Sequence, residues 1–336
     1  MSVLKKAGIV FALFFLITAG PLWAQRKITI KLASIVPENT PWGAALNRMA
    51  AEWSSITNGE VEVVVYHGGV AGDEAEVLRK LRTNQLQAAI FTSQGLSLEM
   101  PEIITLSYPF LIRNDNELDE VLSKIRPEFD SIIARNGFVT LAWSKAGWVQ
   151  IFSRTPVLTP SDMRKQRMGT NPEDLKMMQA FRTMGFQLVP VSITDVLVSL
   201  NSGMMDAIYW SPIAAAAGQV FGVVNNMTDL NLAPFMGGIL MNQTAWRRIP
   251  DRFKPALLAS GKGIEKDIDD SISKLEKETL STMVRYGLKI NQPTSAQMQE
   301  WYDELAKNEN NLVGPIFDRA LYLKIKGILE EYRKRR

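Results

Sequence analysis

The chain contains no cysteine and a single histidine, His67. The first absence excludes disulfides, thiol nucleophiles, thiolate metal sites and lipid attachment at an N-terminal cysteine. The second removes two-histidine zinc sites, histidine-based triads and the facial triad of non-haem iron. His67 precedes Gly68-Gly69 in a turn and reads as structural or solvated. An excess of one charge sign is also missing. The net charge is +3, with acids and bases interspersed along the chain. No basic face is offered to nucleic acid, and RRM, zinc-finger and bZIP patterns are absent, so nucleic acid is not an expected partner. HExxH, P-loop and GxSxG motifs are missing too. Ser271-Ile272-Ser273-Lys274 matches S-x-x-K, but on an amphipathic helix where chance explains it. Gly68 to Gly72 lacks the lysine of a phosphate loop and reads as a tight connection. Asp267, Asp269 and Asp270 sit at helix-surface spacings. This inventory argues for no enzyme, no cofactor and no metal.

Long hydrophobic runs are lacking except at the start, MSVLKKAGIVFALFFLITAGPLWAQRK. Lys5 and Lys6 precede a fourteen-residue apolar run, Ala7 to Gly20. Such a run is shorter than a bilayer span of about 20 residues. Residues 1–24 therefore read as a signal peptide cleaved after Ala24, although Leu22 is a poor residue at −3; an uncleaved anchor is the alternative. The expected location is the periplasm. What remains is globular in composition, 46% hydrophobic and 22% charged in 336 residues, enough for two domains with real cores.

After the leader, ITIKLASIV reads as a strand and Pro37 to Pro41 as a turn. Trp42, Leu46, Met49, Trp53 and Ile56 then recur at helical spacing up to Asn58-Gly59. VEVVVY is a strand, Glu74 to Thr83 a helix and LQAAIFTS a buried strand. Asn116 to Asn136 is helical, with Pro127 expected to kink or split it. GFVTLAWS and WVQIFS read as two strands joined by Lys145-Ala146-Gly147. Glu173 to Met184 is a helix, FQLVPV a strand, Thr194 to Asn201 a short helix, and DAIYWS and GGILMNQTAW further strands. From Arg252 to Arg285 a helical pattern carries Leu257, Gly261, Ile264, Ile268, Ile272 and Leu275 on one face. At 1.5 Å per residue it is about 50 Å long, enough to run across two lobes. The alternation predicts α/β lobes with mixed sheets. No repeat or linker separates them, so the chain is expected to cross between lobes more than once.

The aromatic residues stand out. Trp143 and Trp148 flank a turn, and Tyr209-Trp210 ends a strand beside Ser211-Pro212. In α/β folds ligands bind outside strand ends, so at least two of these rings are expected to face a ligand.

Lys31-Leu32-Ala33, then Pro37-Glu38-Asn39-Thr40-Pro41-Trp42-Gly43 and Thr57-Asn58-Gly59-Glu60-Val61, resemble the opening of the TRAP (tripartite ATP-independent periplasmic) transporter solute-binding proteins. The likeness continues in Leu86 to Ile90, Tyr108-Pro109-Phe110-Leu111, Thr155-Pro156-Val157 with Pro160 to Met163, Val189-Pro190-Val191, and Leu200 to Ala207. It implies a two-lobed, periplasmic-binding-protein-like fold (type II-like) with a long helix spanning both lobes. Lobe I is expected at 25–144 plus about 226–262, and lobe II at 145–225 plus about 263–336. It also implies capture of a small ligand by hinge closure and delivery to an ion-gradient-driven permease of small and large membrane subunits. A periplasmic accessory protein is a further candidate partner, and a ligand sensor for a signalling system is the alternative role.

Typical ligands of the family are organic acids, paired bidentately with a buried arginine. Here the family's "DLKGLKIRVP" becomes Asp162 to Thr170, and an ungapped count puts Gly169 where the arginine belongs. Counting back from Met184-Gly185 gives Thr170. Only a two-residue shift reaches Arg167, the possible carboxylate partner in a conventional organic-acid receptor. A second family arginine, in "GFR-x-F", falls on Val149. The expected ligand is therefore neutral and largely hydrophobic, because an unpaired buried carboxylate is strongly disfavoured. The expected ligand-binding set is Trp42, Phe91, Phe110, Trp143, Trp148, Val149, Gln150, Phe152, Gly169, Thr170, Asn171, Tyr209, Trp210 and Met236. Arg164, Lys165 and Arg167 then read as a solvated edge or permease-docking surface.

Overall fold

The computed structural model describes residues 27–335 apart from 173, 193 and 194, so the expected signal segment lies outside the described residues. Its first part runs β1 (Ile28–Ala33), α1 (Pro41–Ile56), β2 (Val61–Tyr66), α2 (Glu74–Arg82), β3 (Ala88–Thr92), α3 (Ser93–Ser97), α4 (Asp115–Arg135) and β4 (Phe138–Ser153). The second runs α5 (Pro160–Met163), β5 (Arg167–Thr170), α6 (Leu175–Thr183), β6 (Gln187–Pro190), α7 (Val196–Asn201), β7 (Ala207–Trp210), α8 (Pro212–Ala217) and β8 (Asn226–Asn242). The chain closes with α9 (Gln243–Arg248), α10 (Lys254–Arg285), β9 (Lys289–Asn291), α11 (Ser295–Leu312) and α12 (Arg319–Lys334).

Two long antiparallel strands make the fold two-lobed. Residues Phe138 to Lys145 of β4 pair with Asn242 to Met236 of β8, and Trp148 to Ser153 pair with Pro234 to Asn226. On one side of this crossing pair stands β3, with β1 and β2 parallel beyond it; on the other stands β7, with β5 and β6 parallel beyond it. β9 adds to the end of β8. The register slips between Lys145 and Trp148, where Gly147 takes a φ of +87° that a side chain disfavours.

Several expectations change here. GFVTLAWS and WVQIFS are one sixteen-residue strand, because the Gly147 bulge absorbs the turn residues without breaking the pairing with β8. β8 begins at Asn226, well before the glycine pair that suggested it, and stops at Asn242. The Asn242 side chain accepts from Ala245 N at 2.9 Å, so QTAW is helical rather than strand. α4 runs unbroken through Pro127, which lies on its exposed side while Ile125 and Phe129 anchor both flanks.

The long helix α10 buries Leu257, Gly261, Ile264, Ile268 and Ile272. Gly261 is required there, since a Cβ would overlap the Leu141 carbonyl of β4. α12 packs on α4, where Arg333 forks onto Glu117 at 2.8 Å. Arg335 likewise donates to Glu120 at 2.6 Å, so both arginines hold α12 to α4.

Candidate functional site

The C-terminal ends of β3, β5 and β7 converge on a cavity of about 650 Å³, closed along one side by the middle of β8. Each strand ends in a small polar turn into a helix: Thr92-Ser93-Gln94, Gly169-Thr170-Asn171, and Trp210-Ser211. Edge-on backbone and short side chains are what such turns supply, and ligand clefts of α/β sheets form there. Its volume lies within the range of small-molecule pockets.

Thr170 is 3% exposed, and its Oγ1 has no hydrogen-bond partner although the residue lines the cavity. Asp174, which caps α6, accepts from Met177 N and from the Tyr209 hydroxyl, each at 3.3 Å. The Gln94 side chain donates to it from α3, on the opposite side of the crossing strands. Burial pushes the Asp174 carboxyl up, and these neutral donors only partly oppose the rise. Burial and the neighbouring Asp174 together hold the Tyr209 hydroxyl well above its ordinary range. Glu74 accepts from Thr92 N at 2.6 Å and Thr92 Oγ1 at 2.7 Å. Asp73 caps α2 through Glu76 N. Lys176 Nζ donates to the Pro101 carbonyl at 3.3 Å, a second bond between the two sides. Among the described lining residues there are three carboxylates, one ammonium and no guanidinium. The mouth is apolar: Leu98, Leu175 and Phe235 are 49%, 70% and 37% exposed.

Of the residues expected from the sequence, Val149, Gly169, Thr170, Asn171, Tyr209 and Trp210 line this cavity. The others stand elsewhere. Trp143 Nε1 donates to Asp130 at 3.1 Å and Trp148 Nε1 to Asp115 at 3.0 Å, turning both rings into the core against α4. Trp42 Nε1 reaches Ser144 Oγ at 3.2 Å. Gln150 is bound to Asn231 and Leu230 N, because adjacent strand residues face opposite sides and Val149 takes the cavity side. Phe91, Phe152 and Met236 are core residues, and Phe110 packs on Trp301 with ring centroids 5.5 Å apart. Large rings at strand ends were the signal sought, and burial of apolar area claimed most of them. The strand-to-helix turns at Ser93-Gln94 and Asp174 are small and polar and carry no aromatic or apolar signal in the sequence.

The cations of the Arg164 to Arg167 stretch are each engaged within the chain. Arg164 pairs with Glu304 at 2.7 Å, Lys165 with Asp162 at 3.2 Å, and Arg167 with Asp206 at 2.7 Å. Arg167, held by Asp206, does not line the cavity.

A model of the bacterial extracellular solute-binding proteins, family 7, matches residues 32–311. The chain belongs to this family. Family 7 proteins are the TRAP solute-binding receptors, extracytoplasmic transport proteins that bind small molecules and work with membrane permease subunits. A solute-binding protein of Chromohalobacter salexigens is 23% identical over 294 residues, covering 85% of this chain and 87% of its own. The C4-dicarboxylate-binding protein DctB of Bacillus subtilis is 22% identical over 307 residues, 88% of this chain and 85% of its own. A TRAP periplasmic solute-binding protein of Ralstonia eutropha, crystallised with (S)-2-acetolactate, superimposes with a TM-score of 0.80 at 19% identity, covering 91% of this chain and 99% of that one. One from Sulfurospirillum deleyianum, with bound succinate, gives 0.77 at 21% identity, covering 89% and 98%. The shared two-lobed fold is what these structures establish for a family 7 chain of such low identity. Among the described residues, no helix is long and apolar enough to cross a membrane.

Proposed function

We propose that this family 7 receptor works in the periplasm after export by the segment 1–24. It closes its lobes over a ligand in the 650 Å³ cavity and passes it to an ion-gradient-driven permease. The observation that carries the ligand reading is the lack of any guanidinium among the described lining residues. Gly169 stands where the family pattern puts its carboxylate-binding arginine. The ligand accordingly presents no free carboxylate to an arginine, and a largely apolar body suits the Leu98, Leu175 and Phe235 mouth and the Trp210 ring. The lobes divide at the Gly147 bulge of β4 and near Pro234 of β8, and the packing of α12 on α4 favours grouping it with the first lobe.

A second reading keeps an organic acid, with Lys176 Nζ as its partner in place of an arginine. It is favoured by the succinate and acetolactate held by the structural relatives and by the position of Lys176 in the lining. Calorimetry against succinate, D-glucuronate and (S)-2-acetolactate decides between them. The first reading expects no binding below millimolar; micromolar binding abolished by Lys176→Met would sink it.

A further inference from the structure

We propose that the ligand carries a protonated amine, or an equivalent organic cation, seated on the Asp174 carboxylate in the cavity that Tyr209 and Trp210 also line. This rests on the reading of the cavity as the ligand site and adds the chemistry that occupies it.

The argument begins with what each acid of the lining already does. Both Glu74 oxygens accept from Thr92, and Asp73 is spent on capping α2. Asp174 differs. Its partners are a backbone N–H, a phenol and an amide, all neutral, and among the described residues no cation pairs with it. A carboxylate has about four acceptor positions, so Asp174 keeps capacity after these three bonds. Burial raises its carboxyl because nothing positive compensates the lost water. A ligand ammonium supplies that missing charge.

The surroundings suit an ammonium in two further ways. The Thr170 hydroxyl, 3% exposed and without a partner, is an orphan group on the cavity wall that can accept an ammonium N–H. Tyr209 touches Asp174 through its own hydroxyl, and Trp210 is the next residue along β7. Aromatic rings on the wall of the same cavity attract an organic cation that enters it. The opposing charge, Lys176, is turned onto the Pro101 carbonyl. A metal ion is a poor occupant, since no group of three or more acidic or histidine ligands gathers among the described residues.

The test compares three probes of one skeleton by calorimetry: 4-phenylbutylamine, 4-phenylbutanol and 5-phenylpentanoate. The amine is expected to bind about tenfold or more tightly than the alcohol, and the acid weakest. Asp174→Asn, which keeps the shape and an acceptor oxygen, should erase the preference of amine over alcohol. Thr170→Val should weaken the amine alone, and serves if the asparagine variant misfolds. An amine that does not bind, or binds no better than the alcohol, overturns the proposal; so does tightest binding of the acid. Trp210→Ala separates the two levels of the argument. If it leaves all probe binding unchanged, the cavity itself is not the site; if it weakens all three while no charge preference exists, only the amine fails.

Discussion

The thioether of Met205 occupies the space that a side chain on Gly169 would need. A Cβ built at Gly169 overlaps Met205 Sδ, and Met205 is fully buried in the core behind β5 and β7. A neighbour therefore already fills the space that any side chain at this strand position would need.

Placing an arginine there should consequently be costly. Gly169→Arg is expected to destabilise the protein by about 1–3 kcal/mol through overpacking. Adding Met205→Ala should recover part of this, measured by urea unfolding. A single variant as stable as the parent would show that Met205 moves freely.

Two bonds tie the lobes across the mouth: Gln94 to Asp174, and Lys176 to the Pro101 carbonyl. Each is worth about 1–2 kcal/mol. Gln94→Ala should shift the molecule toward an open form, enlarging the radius of gyration in solution scattering without ligand. An unchanged scattering curve would mean that the crossing strands alone set the angle.

A pH dependence follows from Glu276 on α10, which accepts from Trp148 N at the β4 bulge. Burial, and then the nearby Asp115 charge, push its carboxyl from the ordinary 4.5 up to about 7. The folded state thus holds this proton more tightly than the unfolded chain. Its contribution is complete below about pH 4.5 and is lost as pH rises through about 7. Glu276→Gln should raise the melting temperature at pH 8 and leave it little changed at pH 4.5. A parallel gain at both values would contradict this.

The C-terminal helix is held by a charge pair of opposite behaviour. Burial alone would raise the Glu117 carboxyl, but the Arg333 fork and the Arg113 backbone N–H bring it below its ordinary value. That stability is present above the unfolded carboxylate range and is lost as pH falls. Arg333→Ala strands Glu117, which is 5% exposed, and should cost about 2–4 kcal/mol at pH 7. Retention of full stability would show that Leu321, Ile325 and Leu329 hold α12 unaided.

How much was readable depended on the kind of signal. Apolar spacing located α1, α2, α4 and α10, because a buried face repeats along the sequence itself. β8 was only half read, since its first half mixes polar residues that face the sheet with residues that face the cavity. α11 and α12 pack on α6, α5 and α4, and α12 buries Leu321, Tyr322, Ile325, Ile328 and Leu329 at helical spacing that the sequence already carries. Of the cavity lining, Gly169 and Tyr209-Trp210 are named by pattern, whereas Asp174 and Gln94 are not. Nothing local distinguishes a helix-capping aspartate from one that also faces a cleft.

By itself the sequence determined the family, the α/β class, and the exclusion of thiol and two-histidine chemistry. All of these are properties of residue identity and spacing along one chain. Only the tertiary structure decided which aromatic rings are core and which line the cavity, that Arg167 is spent on Asp206, and that the described lining of the cleft includes three carboxylates and a single ammonium. Those outcomes depend on residues far apart in sequence arriving at the same strand ends, and on burial and charge partners that do not exist until they do.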